Sequence, residues 1–380
     1  MTESPSPTDP IWDSLSLAIV VVGLIVALVK WSIRPDRFDV PTPIAGLHGN
    51  LVLITGCDSG FGRSLALRLL KNGVNVVAGC FTSLGLKQLK LESEDFAGKL
   101  YAFPLDITNQ KSVDELYIKV HKLLVQNQDC ELWALVNNAG FCSLYGPNDW
   151  VGMSEYQQSI EINLLGTVRM TQKFVPLLKR SKGRVVTMIS ASGRIHGFYT
   201  APYVTAKFGL EGYMDSVRLE LQPFGVSAHV LEPGAFKTQL LNNEAMVRRV
   251  DEIWSKLSDS VREEYGEEFR ENFIQQWQSG VNRIANPDLS EVVNAYVHAI
   301  SSPRPKTRYV CGIDARFIFI PLSFMPSSLQ DIILNFLPKL QFMPPLIPAA
   351  VLRPFVPSKL IDEYCVDVTV ATIKDQRGPA

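Results

Sequence analysis

Tyr203 and Lys207 stand four residues apart in Tyr203-Val204-Thr205-Ala206-Lys207. On a helix both side chains then project from one face. A phenol beside an ammonium is a candidate general base: the positive charge favours the phenolate, whose parent phenol is otherwise too weak an acid, with a pKa of about 10. Ser190 ends an apolar stretch upstream, where a hydroxyl can hydrogen-bond a substrate oxygen as charge develops on it. Ser192, in Ile189-Ser190-Ala191-Ser192, rivals it for that place. Asn163 sits inside a helical pattern, an unusual position for a residue whose side chain competes for backbone hydrogen bonds.

A second group of residues has the stereochemistry of an anion cradle. Thr55-Gly56-Cys57-Asp58-Ser59-Gly60-Phe61-Gly62 follows an apolar strand and opens a helix. Gly56 permits a sharp turn, Gly60 lets backbone approach a pyrophosphate, and Gly62 lets the helix pack on the strand, with Asp58, Ser59 and Phe61 between them. The second strand ends Cys80-Phe81-Thr82-Ser83, with neither an acid for a ribose hydroxyl nor an Arg or Lys for a 2′-phosphate. Asp58 in the loop repels such a phosphate, so NAD is expected over NADP. Asp106, after the third strand, is expected to meet the adenine amine, or else to cap the next helix ahead of Ser112. Asn137 opens Asn137-Asn138-Ala139-Gly140 at the carboxyl end of the fourth strand, the edge at which α/β sheets bind ligands, and is taken as a cofactor contact.

These residues need a scaffold, and the pattern supplies one. Short apolar runs at 51–55, 74–80, 99–104, 133–137, 183–190 and 227–232 alternate with helical stretches at 62–72, 84–94, 112–126, 156–180 and 203–221. That alternation predicts βαβ units and an α/β, doubly wound parallel sheet of the Rossmann type. Residues 241–285 are polar and helical in pattern, and are expected to form an insertion on the substrate side of a catalytic domain spanning 49–330. The segment 331–380 is an apolar, Pro-rich extension. It reads as a hydrophobic lid, a membrane-surface contact or irregular core packing.

Of the 380 residues 46% are hydrophobic and 20% charged, so a large core can form and wholesale disorder is excluded. Lys+Arg is 37 against Asp+Glu 38, which leaves no basic excess for nucleic acid. None of the six cysteines forms a C-x-x-C pair or a zinc-ligand spacing, so buried reduced thiols and no metal are expected. After a short tail (1–13), the uncharged run Leu15–Val29 is flanked by Trp12 and Trp31. It predicts a transmembrane anchor over 14–31, with a cleaved signal or a surface-lying helix as alternatives. Lys30, Arg34 and Arg37 follow the run and none precedes it, which places the body of the chain in the cytosol. Residues 32–48 are a Pro-broken linker.

Thr55–Gly62, Asn137–Gly140, Asn163, Ser190, Tyr203-x-x-x-Lys207 and Pro233-Gly234, in that order, resemble the short-chain dehydrogenase/reductases over about residues 50–240. Cys80-Phe81-Thr82, Arg308-Tyr309 and Gly312-x-Asp314-Ala315 extend the resemblance to the branch of membrane-bound retinol and hydroxysteroid dehydrogenases, which also holds a hydroxybutyrate dehydrogenase. The resemblance implies hydride transfer between an alcohol and a nicotinamide cofactor. It implies that Tyr203 and Lys207 also touch the cofactor, Lys207 through the nicotinamide ribose. Asn163 would hold a proton-relaying water, and Pro233, Gly234 and Thr238 would meet the nicotinamide carboxamide. A homodimer and an endoplasmic-reticulum membrane location go with that branch. The expected substrate is a hydrophobic alcohol, retinoid or sterol. A 3-hydroxy acid dehydrogenase and a non-catalytic dinucleotide-binding membrane scaffold are the alternatives.

Overall fold

Strand β1 (Leu51–Thr55) is buried at every position, as an apolar run must be when both faces of a parallel sheet are covered. The computed structural model describes residues 47, 49–127, 129–142, 146–340 and 346–352. The tail, the anchor expected over 14–31, nearly all of the linker and most of the C-terminal extension lie outside the described residues. Among the described residues no helix is long and apolar enough to cross a membrane.

The chain alternates as its pattern predicts. After β1 come α1 (Gly60–Lys71), β2 (Asn75–Cys80), α2 (Ser83–Glu92), β3 (Leu100–Pro104), α3 (Gln110–Gln126) and β4 (Leu132–Asn137). Next are α4 (Met153–Ile160), α5 (Gly166–Ser181), β5 (Arg184–Met188), α6 (Ala201–Leu221) and β6 (Ser227–Pro233). The strands lie in the order β3-β2-β1-β4-β5-β6-β7, all neighbours parallel, where β7 is Arg308–Cys311. The chain runs outward from β1 to β3, then crosses back to β4. The carboxyl ends of β1 and β4 therefore diverge, leaving the crevice where such sheets take ligands.

Side-chain alternation sends strand residues to two cores. Val52 and Ile54 pack with Leu65, Leu69 and Leu70 of α1 on one face; Leu51 and Leu53 pack with Phe174 and Leu178 of α5 on the other. The first core also takes a helix the pattern analysis passed over, α10 (Ser290–Ser301), where Val292, Val293, Ala295, Tyr296, Val297, Ala299 and Ile300 are all buried. Arg184 of β5, itself buried, donates to the carbonyls of Ala299 (2.6 Å) and Ser302 (2.7 Å) at the C-terminal end of α10. A cation there suits the negative end of the helix dipole.

Two expected elements differ. The single helix expected over 156–180 begins at Met153 and is interrupted by a π-helical turn, Glu161–Leu165, with Asn163 inside it. The insertion divides into α7 (Asn243–Trp254), α8 (Asp259–Tyr265) and α9 (Glu267–Ile284). These helices close on Trp150, whose ring lies edge-on to Trp254, Tyr265, Phe269 and Phe273 at centroid distances of 5.0 to 5.9 Å. Beyond β7, the π-helical turn Ala315–Phe319, α11 (Ile320–Ser323) and α12 (Ser327–Leu340) follow, and α13 (Ala349–Leu352) is the last described element.

His229 of β6 is a buried polar group with a measurable consequence. Its Nδ1 donates to the Lys306 carbonyl at 2.7 Å, since a carbonyl only accepts, and its Nε2 then accepts from Ser227 Oγ at 2.8 Å. Burial, first of all, holds its pKa down from 6.5 to about 4. The unfolded chain therefore binds this proton more readily than the folded one. The group's stabilising contribution is complete above the unfolded value and is lost as pH falls toward the folded one, on the order of 3 kcal/mol in all. Urea unfolding of wild type and His229→Gln across that window is expected to show the steeper acid loss in wild type. Parallel slopes would sink the assignment.

Candidate active site

At the β1 and β4 ends lies a cleft of about 920 Å³, the size of a pocket that buries a small molecule. Gly56, Asp58, Ser59, Gly60 and Phe61 line it on one side, and Asn163, Ser190, Tyr203 and Lys207 on the other, with Asp106, Pro233, Gly234 and Thr238 also on its wall. The glycine loop is shaped by contacts that no side chain tolerates. Gly56 has φ +70°, and a Cβ on it would lie 2.7 Å from Ala139 Cα. Gly62 does not line the cleft; a Cβ there would lie 2.3 Å from Asn138 Nδ2 and 2.4 Å from Gly56 O, so its bareness lets α1 close on the β1 and β4 turns. Ser59 at the start of α1 makes no side-chain cap, and no acidic residue occupies the first turn. An anion is the complement that such an uncapped helix start takes.

Asn137 is corrected by the structure. Its Nδ2 donates to Thr171 Oγ1 at 3.0 Å and to Thr187 Oγ1 at 3.4 Å, and the residue is buried beneath the cleft. Strand alternation puts the next residue, Asn138, on the cleft side. Asn138 Nδ2 donates to the carbonyls of Thr55 and Gly56, both at 3.0 Å, while Thr55 Oγ1 accepts from the amides of Asn138 and Ala139, both at 3.0 Å. This clamp between the β1 and β4 turns went unassigned in the motif analysis, though both residues stand in the quoted motifs.

Asp58 is turned toward the end of β2. Its carboxylate accepts from the Phe81 amide (2.8 Å), the Thr82 amide (2.7 Å) and Thr82 Oγ1 (2.7 Å). The nearby cation, Arg63, is engaged by Glu92 and Gln88. Asp106 Oδ1 accepts from the amide and hydroxyl of Thr108, at 2.9 and 2.7 Å, which makes it a turn cap that still faces the cleft. Gly60 and Thr238 face each other, a Cβ on the glycine lying 3.5 Å from the threonine. The Ala235 amide donates to Asp314 Oδ2 at 2.7 Å, and a Cβ on Gly234 would strike that carboxylate. Asp314 thus shapes the turn after β6.

Asn163 holds backbone. Its Oδ1 accepts from the Phe141 amide at 2.9 Å; its Nδ2 donates to the Phe141 carbonyl at 2.9 Å and to Ser159 Oγ at 3.3 Å. Both Nδ2 hydrogens are taken, so the side chain fixes the exit of β4. Asn163 makes these bonds from within the π-helical turn Glu161–Leu165.

The Lys207 ammonium lies 5.6 Å from the Tyr203 ring centroid and donates to the Met188 carbonyl at 3.4 Å. Ser190 Oγ accepts from the Ser192 amide at 3.1 Å and reaches the Pro233 carbonyl at 3.5 Å. The Ser190 hydroxyl favours the ionised form of the Tyr203 phenol, and Ser190 and Ser192 both line the cleft. The expected acidity of the phenol is not a property of the resting protein. Burial first, then Cys142, pushes Tyr203 well above its ordinary value, with the Ser190 hydroxyl opposing them. The same burial brings Lys207 down to about 8, with Glu211 opposing it. Desolvation penalises phenolate and ammonium alike, and it is the largest influence on each.

A parallel sheet with its crevice at a switch point, a bare glycine turn opening an uncapped helix and a Ser/Tyr/Lys group facing it together define a dinucleotide-dependent oxidoreductase. Residues 50–247 match the family described as short chain dehydrogenase, and the chain belongs to the short-chain dehydrogenase/reductases, in the branch of the retinol and hydroxysteroid dehydrogenases. It is a short-chain alcohol dehydrogenase/reductase, and the fold of this family binds nicotinamide dinucleotides. It is 53% identical over 320 residues to the 3beta-hydroxysteroid dehydrogenase dhs-16 of Caenorhabditis elegans, covering 83% of this chain and 82% of that one. It is 34% identical over 318 residues to retinol dehydrogenase 5 of Mus musculus, covering 84% and 96%. A short-chain dehydrogenase from Streptomyces avermitilis shares the fold at a TM-score of 0.57 and 22% identity, covering 77% of this chain and 97% of that structure.

Proposed function

We propose that this chain is an NAD-linked dehydrogenase of a hydrophobic alcohol, of the retinoid or hydroxysteroid class. The carrying observation is the cleft. Its floor holds Ser190, Tyr203 and Lys207, and Cys142, Ile195, Leu241, Phe319 and Leu334 stand on its walls. Among the described residues lining it, Lys207 is the one Lys or Arg. A small hydroxy acid would have no second such cation for its carboxylate, whereas a lipid alcohol needs none. The names of the similar proteins, a 3beta-hydroxysteroid dehydrogenase and a retinol dehydrogenase, support the same class.

The glycine turn at Gly56–Gly60 and the start of α1 would hold the pyrophosphate, Asp106 would face the adenine, and Gly234 with Thr238 the nicotinamide end. The Asp58 carboxylate, fixed at the β2 edge, opposes a 2′-phosphate and favours NAD, and the Arg63 guanidinium beside it is taken up by Glu92, Gln88 and the Asp58 carbonyl. When bound, the oxidised dinucleotide supplies a hydride acceptor and a positive charge beside the phenol. Tyr203 as phenolate takes the proton of the substrate hydroxyl, and its O–H forms as the alcohol becomes a carbonyl. Ser190 Oγ steadies the substrate oxygen, and Lys207 supports the phenolate and the ribose. Asn163 keeps Phe141 and the β4 exit in place. We place the apolar run after residue 14 in the endoplasmic-reticulum membrane as a single-pass anchor, with the catalytic body on the cytosolic side, where a bilayer-dissolved substrate is at hand.

The test is turnover, followed by absorbance of the reduced nicotinamide, with all-trans-retinol, a 3β-hydroxysteroid and 3-hydroxybutyrate, each with NAD and NADP. Turnover of a lipid alcohol with NAD is expected. Turnover of the hydroxy acid alone removes the substrate class, and preference for NADP removes the reading of Asp58.

A further inference from the structure

One turn beyond Lys207 on α6 stands Glu211, a buried carboxylate that the chemistry above does not use. Its Oε2 accepts from Arg308 Nη1 at 2.6 Å, and the same nitrogen donates to Glu232 Oε1 at 2.8 Å. Glu232, on β6, is 1% exposed and also accepts from Arg194 Nη1 at 3.2 Å. Arg308 Nη2 donates to Asp215 Oδ2 at 2.6 Å, one further turn along α6, and Arg218 reaches Asp215 Oδ1 at 3.4 Å. The loop after β5 seals the cluster: a Cβ on Gly193 would lie 2.8 Å from Glu211 Cγ and 3.2 Å from the Lys207 carbonyl.

Two buried carboxylates on one guanidinium nitrogen are a poor choice for stability alone, since desolvation opposes each charge and apolar side chains would fill the space as well. The crowding is visible in Glu211, whose proton affinity is raised by burial and by Glu232, and whose Oε1 has no hydrogen-bond partner. What the cluster does have is a neighbour that needs it. The Lys207 ammonium is buried with one long bond to a carbonyl, and a buried ammonium without a counter-charge sheds its proton. The groups acting on it are Glu211 of its own helix and Cys142 from the β4 exit, and the Tyr203 ring lies 5.6 Å from it. Those acting on Glu211 are Glu232 of β6 and Arg308 of β7, with Asp215 and Arg194 one step further out.

We propose that Glu211, held by Arg308 against Glu232, is a positioning residue that keeps Lys207 in its ammonium form, so that the charge used at the front of the site is sustained from behind it. This rests on the assignment of Tyr203 and Lys207 made above. The test is the pH profile of kcat for oxidation of a 3β-hydroxysteroid with NAD, from about pH 6 to 10. In Glu211→Gln the ammonium loses its counter-charge and gives up its proton sooner, so the alkaline limb moves down by about one pH unit. Glu211→Asp restores part of the shift, and Asp215→Asn, which loosens only the outer end of the cluster, leaves the limb in place. Should Glu211→Gln not fold, Glu211→Asp alone carries the test, with a smaller shift in the same direction. An unmoved limb with kcat lowered evenly at every pH assigns Glu211 a packing role and overturns the proposal. Tyr203→Phe separates the two levels. Full activity in that variant removes the catalytic assignment itself, whereas an inactive Tyr203→Phe beside an unmoved Glu211→Gln limb removes only the role of Glu211.

Discussion

Replacing Tyr203 by Phe is expected to lower kcat for alcohol oxidation by about 10³-fold, the usual worth of a positioned acid–base group. Dinucleotide affinity should change little, because the variant keeps the ring, its packing and the whole glycine turn. The site gives the reason. The phenol is buried, lines the cleft with Ser190 and lies beside Lys207, so no other hydroxyl on α6 can stand in for it. Since burial pushes the phenol above its ordinary value, oxidation in wild type should rise toward alkaline pH until Lys207, at about 8 in the resting protein, begins to lose its charge. Stopped-flow turnover beside a fluorescence titration of the reduced dinucleotide separates the two quantities. Equal losses in kcat and in cofactor affinity would argue for a collapsed site rather than a missing base.

Gly56→Val is expected to abolish dinucleotide binding and to destabilise the fold by about 3 kcal/mol. Two costs add: a branched side chain at φ +70° on the left-handed side, and a Cβ 2.7 Å from the Ala139 backbone, which cannot rotate away. The clamp of Thr55 on Asn138 and Ala139 is then forced apart, and with it both walls of the crevice. Gly212→Ala on α6 is the control. Nothing lies within 4 Å of a Cβ there, and the change should leave binding intact while stabilising the helix by about 0.5–1 kcal/mol. Thermal melts and cofactor titration of both variants decide it. If Gly56→Val still binds the dinucleotide, the turn is not its cradle.

Much of the scaffold is legible in local pattern. The first six strands fall within one to two residues of their apolar runs at most ends, because an apolar run between helical stretches has few alternatives to a buried parallel strand. β7 escaped that logic. Four residues, Arg308–Cys311, carry too little periodicity to separate from a loop, and their pairing partner, β6, lies some distance back in the chain. α10 has an apolar face of seven buried residues opposite Glu291, Asn294, His298 and Ser301, and its place in the core follows from the sheet it packs against. At the site, the choice between Asn137 and Asn138 turned on one residue of strand register, which no motif spacing encodes.

Residue type and spacing were enough to determine the glycine turn, the phenol and ammonium on one helical face, and the alternation that stacks a parallel sheet. Glycine stereochemistry, helical period and strand length are properties of a few neighbouring residues. Only the tertiary structure decided which way the phenol's proton affinity moves, which asparagine meets the cleft, and that Glu211, Glu232 and Arg308 meet behind Lys207. Those depend on how much water is excluded and which charges arrive from α6, β6 and β7, and such sums over distant segments exist only once the sheet has formed.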